Sequence, residues 1–599
     1  MKKTISSAGK GRNSFCKNSG MSQYGIDTWK CYLKTIAGVV LAVSFLLLSG
    51  CKNESPKQPE KTQPAPVKTE QKVLHDNGIT FSHESGIYYV TELQVQMKAP
   101  AGYTIAYTTN GRTPTEKDAS GKSEVNIELN PRMSGYLIAH KQAMLCPDFY
   151  NSKLNESNDL PAAVVLNASL VDGKGALVKE PRTMVYFLIN DAFSKRYPQC
   201  MIVSVTTDPK NLIDHKTGIL ASGAVYEAWK QTDAGKKIIA DQEWWKAETN
   251  CTQRGKKWER PCLVQFYTDG DKPVLEMDAG IRIRGGMSRR QNQKSFTLYF
   301  NEKYGVDALH FKLFEKEDAY KRFGLRNGGD DSEYLKFKDV LLQDLAKGGK
   351  YTVLDKRPAV LFLNGEYWGP YSLCEVTTAN MMKLRYGVDE NNLVLIKEAE
   401  LDQGKKEDFK LYEELQEFGK KDLTNPEVYR QFCDVMDVQS MADYFAMQVY
   451  IGNADCAPDH NHILWRSRDK SYNGGRWQYV LHDLDYSAGH YEEKKTAAST
   501  DHFALMRENF PVFAAAVKNK EFYDMFLASL KKMGSKNFEY NKVREKTDLY
   551  DKLWSPLMPD FYKRYGDTAN LRKRCMNSML TFFMRRYEII IPIVEKWKP

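Results

Sequence analysis

The chain is 599 residues long, more than one hydrophobic core can serve, so two to four domains are expected. A hydrophobic content of 42% with 12% aromatic residues, and a mean hydropathy of −0.55, fit a folded soluble protein and exclude a polytopic membrane protein. The formal net charge is +10, but six of those charges lie in residues 1–50, where seven Lys/Arg face one acid, Asp27. The remainder gives no composition-level case for nucleic acid as a partner.

Lys30 and Lys34 precede "TIAGVVLAVSFLLL", an apolar run of fourteen residues, too short to span a bilayer comfortably. It ends in "LSGC", Leu48 to Cys51, and resembles the lipobox of a bacterial lipoprotein signal. That resemblance implies residues 1–50 as a signal peptide, with Met21 as an alternative start, cleavage before Cys51, and diacylation of that cysteine. Residues 51–74, polar and Pro-rich, read as a flexible tether. The expectation is an extracytoplasmic body, lipid-anchored in the cell envelope at the outer membrane or cell surface. Two or three acyl chains hold stably where one does not. Eight cysteines follow Cys51, and only Cys251 and Cys262 are near enough to suggest a local disulfide. No CxxC or His-rich spacing points to zinc.

From residue 75 to 192, short alternating apolar segments are broken by Gly, Pro and Asn-Gly, as in "TIAYTTNGRTPT". This predicts an antiparallel β-sandwich. The turn formed by Tyr107, Thr108, Thr109, Asn110, Gly111, Pro114 and Thr115 resembles the mark of the chitobiase C-terminal-type domain. Two readings follow, a packing module and a glycan-contacting one.

Beyond residue 198, "MDAGIRIRGGMSRRQNQKSFTLYF" predicts a β-hairpin, with strands over 279–284 and 294–300. Its tip carries two adjacent glycines, Arg289 and Arg290, and Lys294 stands at the mouth of the return strand. Such a tip suits an anion, or is simply solvated. "RPAVLFLNGEYWGPYSLCE" predicts a second hairpin turning at Asn364-Gly365 and ending at Glu375. "NNLVLIKEAE" is a further strand, closing at Lys397.

"DVQSMADYFAMQVYIG" predicts a helix capped by Asp437, its apolar face in the core. It empties into "NADCAPDHNHILW", which holds Asn453, Asp455, Asp459, His460 and Asn461. A strand then leads to "VLHDLDYSAG". Alternation along a strand would point Asp483 and Asp485 the same way, with Leu484 opposite. Two like charges so placed need something positive between them. Hard carboxylate and amide oxygens from neighbouring segments suit Mg²⁺ or Mn²⁺; His460 and His462 read as ligands or as hydrogen-bonding scaffold.

The order of helix, loop Asp, Asn six residues later, strand, and Asp-x-Asp is that of protein kinases. Residues 200–590 resemble the CotH (spore coat protein H) family of atypical protein kinases. The stretches that carry this are "GIRIRGGMSRRQNQKSFTLYF", "GLRNGGDD", "LNGEYWGPYSLCE", "NAD-x5-N" and "HDLDYSAG". The resemblance implies an α+β multidomain protein: the sandwich, then a kinase-like bilobal domain over 198–599 with a helical C-terminal part. It implies Asp455 as the group that orients and deprotonates the acceptor hydroxyl. It implies Asn461 and Asp483 as metal ligands, with Asp485 as second ligand or support. It also implies Lys294, aided by Arg290 and oriented by Glu375, at the phosphates of ATP. The GxGxxGxV, HRD and DFG markers of ordinary kinases are absent, and His482 stands where the family often has Trp.

The tail, "FALMRENFPVFAAAVKNKEFYDMFLASLKKMG" and "NLRKRCMNSMLTFFMRRYEIIIPIVEKW", is amphipathic helix, its Phe/Met stripes core and its "RKR" and "RR" clusters solvated faces or acidic-loop partners. Three functions are compatible with all this: a kinase acting on Ser/Thr of a surface or envelope protein, a surface binding protein with a pseudokinase-like body, and a metal-dependent phosphoesterase. Intact Asp455, Asn461, Asp483 and Lys294 favour the first.

Overall fold

The computed structural model describes residues 76–133, 159–314 and 319–599, all within a unit that runs from Gln71 to Pro599. The signal peptide, Cys51 and the tether lie outside the described residues. The architecture mixes sheets with many helices.

In chain order the strands are β1 (Thr80–Phe81), β2 (Gly86–Tyr88), β3 (Leu93–Lys98), β4 (Thr104–Thr108), β5 (Glu124–Leu129), β6 (Ala162–Val171) and β7 (Arg182–Leu188). Next come β8 (Met201–Thr206), β9 (Arg260–Tyr267), β10 (Leu275–Arg284), β11 (Ser295–Tyr299), β12 (Leu309–His310), β13 (Ala319–Tyr320) and β14 (Arg322–Arg326). The last are β15 (Lys356–Leu363), β16 (Glu366–Cys374), β17 (Leu393–Lys397), β18 (Glu400–Gln403), β19 (Ile463–Ser467) and β20 (Gln478–Val480).

Strands β1, β3 and β5 form an antiparallel sheet. Alternation sets its inner face: Leu93, Val95 and Met97 are buried while Gln94 and Lys98 are exposed. The same core takes Ile105, Val164, Leu166, Met184 and Tyr186 from β4, β6 and β7. The other face of β6 and β7 is buried too, with Val165, Val185 and Phe187 joining Phe193, Phe362 and Tyr367. Burial on both faces explains why these strands are near-continuous apolar runs. Sheet pairing continues past residue 192, because Ala162 of β6 pairs with Glu366 of β16.

Seven strands then close on themselves. Their order is β14-β11-β10-β9-β8-β15-β16, and β16 pairs back to β14 at Gly324↔Cys374 through Arg326↔Ser372. Only β8 and β15 in this ring run parallel. Val203, Val264, Ile281, Phe296, Leu325 and Leu361 belong to its core, and closure leaves the ring no free edge. The turn at Asn364-Gly365 has φ of 49° and 79°, the paired left-handed geometry that Asn-Gly hairpins favour.

The helices used below are α1 (Lys338–Ala346), α2 (Ala379–Tyr386), α3 (Val438–Ile451), α4 (Lys520–Lys532), α5 (Tyr540–Trp554) and α6 (Ala569–Lys596). Helix α3 is capped as expected, Ser440 N–H donating to Asp437 Oδ1 at 3.1 Å. It is buried nearly all round rather than on one face, because α4 and α6 pack against it as well as β20. Gly452, at φ 65°, ends it.

Arg586 of α6 is fully buried. It donates to Val449 O at 2.6 Å and Tyr450 O at 3.0 Å, the last carbonyls of α3, and to Ala498 O and Thr500 O. The expected solvated face or acidic-loop partner is therefore corrected here: unsatisfied helix-end carbonyls draw the guanidinium inward. Arg572 is also buried, paired with Asp551 at 2.5 Å. Cys251 and Cys262 are buried free thiols rather than a disulfide; Cys251 Sγ points at the carbonyls of Leu220 and Ala221. We expect Arg586→Met to lower stability by about 3 kcal/mol in urea denaturation, since buried carbonyls lose their donor. Exposed Arg585→Met should change it by no more than about 0.5 kcal/mol.

Candidate active site

The segments that line one cleft of about 1080 Å³ include the β10–β11 tip, the end of β14 with its following turn, the end of β17, the loop after α3, and the residues after β20. The α3 loop is built by its own polar side chains. Asn453 Nδ2 donates to Gln448 Oε1 at 2.9 Å, and Asn453 Oδ1 accepts from Asp455 N–H at 3.0 Å. Ala457 and His460 exchange backbone hydrogen bonds of 3.0 and 2.9 Å, folding the loop back. Asn461, at φ 54°, then donates Nδ2 to Asp455 Oδ2 at 2.8 Å. A second bond from the same Nδ2 to Asp455 O at 3.2 Å ties the two residues together at the cleft.

His460 Nε2 lies 3.2 Å from Asp455 Oδ2. Its pKa is pushed up to about 9, chiefly by that hydrogen bond, with burial opposing and Asp455, Glu398 and Asp483 adding charge. His462 is buried against Tyr444, Tyr479 and Phe510, and burial lowers it to about 3. It is scaffold.

Strand β20 stops at Val480, and Asp483 has φ 53°. The two aspartates therefore do not owe their common direction to strand alternation. Both reach Arg326 of β14. Its Nη2 donates to Asp483 Oδ1 and to Asp485 Oδ2, each at 2.5 Å, and Nη1 to Asp483 Oδ2 at 3.2 Å. Leu484 is buried in the core, its N–H on Asp339 Oδ1 at 3.2 Å. Asp339 of α1 lies 3.8 Å from Arg326 Nε and also accepts from Lys356. The positive group between the aspartates is a guanidinium from far upstream.

Burial would raise Asp483, but the Arg326 charge outweighs it and holds the carboxyl well below the usual range. Asp485, buried and facing Asp483, is pushed well up. Asp330, after β14, is raised to about 6 by burial and then by Asp483 and Asp455. Asp330, Asp455 and Asp483 all line the cleft, and their mutual repulsion is what a cation there would relieve.

Among the described residues no three His, Cys, Asp or Glu side chains converge as a ready-made metal cage. The donors present still fit a hard divalent ion, because Mg²⁺ is commonly held by one or two carboxylates plus water and substrate phosphate. Asp483, Asn461 and Asp330 supply such oxygens. Asp485 is 2% exposed and committed to Arg326, which places it as support rather than ligand.

The basic hairpin differs from expectation. Lys294 is 3% exposed, and its Nζ donates to Gln291 O at 2.8 Å. Arg290 donates to Ala247 O at 2.7 Å and lies 3.6 Å from Glu248. Arg289 donates to Gly285 O, Cys251 O and Gln253 O. The tip spends its cations on unpaired backbone carbonyls. Glu375 pairs with Arg385 of α2, not with Lys294, and accepts from Asp355 N–H at 2.6 Å. Neither Lys294 nor Arg290 lines the cleft, whereas Arg284, Arg289, Arg326 and Lys397 are among the cations that do. Arg326 sits in "GLRNGGDD" and Lys397 ends a strand visible in the sequence, but a pairing across 157 residues leaves no local pattern. His482 lines the cleft as well, held well below its ordinary pKa by burial and then by Lys397.

A family model described as CotH kinase protein matches residues 281–590. Among solved structures, one similar chain belongs to the Shewanella oneidensis MR-1 toxin–antitoxin complex of HipA, HipB and operator DNA. It is 12% identical with a TM-score of 0.26, the match covering 51% of this chain and 66% of that one. No curated protein matches.

Glu375→Ala should cost about 1–3 kcal/mol of stability in chemical denaturation, because Asp355 N–H loses its acceptor and Arg385 keeps only its other carboxylate, Asp355 at 2.7 Å. Separately, an NMR titration of His460 should give a midpoint near 9, returning toward the ordinary histidine value in Asp455→Asn. Because the folded-state pKa is raised, the pair's stabilisation is complete below about pH 6.5 and disappears as pH rises through 9.

Proposed function

Since the chain belongs to the CotH kinase protein family, we propose that it is an atypical protein kinase that transfers the γ-phosphoryl group of ATP to Ser or Thr of an envelope protein. The family supports a kinase-like function, for which ATP and a divalent metal are the ordinary requirements. The observation that carries the finer reading is that Asp455, Asn461 and Asp483 line one cleft, with Asn461 hydrogen-bonded to Asp455.

In this reading Asp455 orients the acceptor hydroxyl and takes its proton late, because phosphoryl transfer asks mostly for positioning and charge neutralisation. His460 and Asn461 hold that carboxylate in place. Asn461 and Asp483 are the residues that would hold Mg²⁺ or Mn²⁺, which when bound would neutralise phosphate charge. Leu354, Val376, Leu395 and Ile463 make an apolar end to the cleft, suited to a nucleobase. Arg326 and Asp339 stand in the manner of the Lys–Glu ion pair that ordinary kinases use to link sheet and helix.

The lipid-anchored envelope location implied by Leu48 to Cys51 is part of the same proposal. Residues 107–115 are held by structural bonds, among them Asn167 Nδ2 to Gly111 O at 2.9 Å and Arg112 to Asp118 at 2.5 Å, which supports the packing role over glycan contact. One observation favours a non-catalytic, binding body: the Arg326 guanidinium already neutralises Asp483 and Asp485.

Thermal shift with ATP should be larger with Mg²⁺ or Mn²⁺ than in chelator for the wild type, and Asp483→Ala should lose that metal-dependent increment. Asp455→Asn should keep that shift yet lower phosphoryl transfer by about 10²- to 10⁴-fold. A wild type that neither shifts nor transfers phosphate would move the assignment to the binding-protein reading.

A further inference from the structure

With Lys294 and Arg290 turned onto backbone carbonyls, the charge of a triphosphate has to meet other cations. Arg284 is the last residue of β10 and Lys397 the last of β17, so they come from different sheets and line the same cleft. Arg284 lies across Gly324 of β14, where any Cβ would strike its Nη1. That close approach fixes the guanidinium, which donates to Cys374 Sγ at 3.3 Å. Among the described residues no carboxylate is in ion-pair contact with it.

Lys397 has 37% of its side chain exposed, and its ion-pair neighbour is Glu398 at 3.7 Å, a residue held at φ 54°. Alternation along β17 puts Lys397 on the face of Leu395. Lys397 lines the cleft with Leu395 and is near enough to Asp483 to feel its charge. Arg284 is near enough that its charge helps to lower the pKa of Lys397, after burial. Two cations close together in one cleft, Arg284 with no carboxylate in ion-pair contact and Lys397 with only a loose partner at 3.7 Å, repel each other and offer an anion a place to relieve that repulsion. A rigid Arg fork beside a point-charge Lys suits phosphate oxygens.

We propose that Arg284 and Lys397 form the phosphate clamp of this cleft, closing from two sheets on the non-transferred phosphates of a nucleoside triphosphate. The clamp rests on the kinase reading for its ligand, but not on the metal. Anion capture by the pair needs neither Asp483 nor a divalent ion.

The test is calorimetric titration of the full chain with tripolyphosphate in chelator and, separately, with ATP and Mg²⁺. Arg284→Gln and Lys397→Gln should each weaken tripolyphosphate binding about tenfold or more. Arg284→Lys and Lys397→Arg should restore most of it. Lys495→Gln, an exposed lysine on the same cleft, should change it less than about twofold. A readout free of variants is acetylation of Lys397 followed by mass spectrometry, which tripolyphosphate should suppress in the wild type. Equal losses at Lys495 would mean a diffuse field and overturn the clamp. Wild-type binding of ATP with Mg²⁺, undiminished in both Gln variants, would overturn it while leaving the kinase reading intact. Protection of Lys397 without any ATP binding would support the clamp and remove the kinase reading; neither effect would remove both.

Discussion

The arrangement of this cleft depends on one side chain, the guanidinium of Arg326. It contacts Asp483 and Asp485 directly and lies 3.8 Å from Asp339. Lys356 shares the load at Asp339. Carboxylates withdrawn from water would otherwise carry a large desolvation cost. Because Arg326 belongs to the strand that closes the ring, Asp339 to α1, and the aspartates to the segment after β20, one cation ties the ring to two pieces that Leu484 N–H on Asp339 already joins. Gly329 lets the backbone come close: a Cβ there would strike both Arg326 and Asp485.

The second support is the way α3 delivers Asp455. The helix is held at its start by Asp437 and at its end by Arg586 and Gly452, so the loop begins from a fixed point. Ala488 N–H donates to Ile451 O at 2.8 Å and Ala454 N–H to Tyr486 O at 3.3 Å, tying this loop to the one that carries Asp483. Glu398, Asn461, Asp483 and Tyr491 all have positive φ and all line the cleft. Left-handed backbone at non-glycine residues is uncommon and is retained where surrounding contacts over-determine it.

The features legible in the sequence are those whose cause is local. Asn364-Gly365 turns a hairpin because its backbone tolerates positive φ, Asp437 caps α3 because its side chain is within reach, and Asp455, Asn461 and Asp483 stand in an order that a kinase-like site requires. The departures from local expectation have a common cause as well. Lys294 and Arg290 look free in a basic tip, yet helical turns and bends there leave carbonyls without donors, and the cations go to them. Arg586 looked solvated because an exposed "RR" and a buried helix-end donor are the same two letters.

The amino-acid sequence alone therefore determined the family, the α and β segmentation near the site, and the order of Asp455, Asn461 and Asp483 along the chain, since turn chemistry, capping and periodicity act over a few residues. The tertiary structure alone decided the closure of the strand ring, the choice of Arg326 as the cation of the aspartate pair, and the meeting of Arg284 and Lys397 in one cleft. Those outcomes depend on which distant segments are buried together. Burial, by forcing each charge and carbonyl to find a partner, is a property of the packed chain and not of any stretch of it.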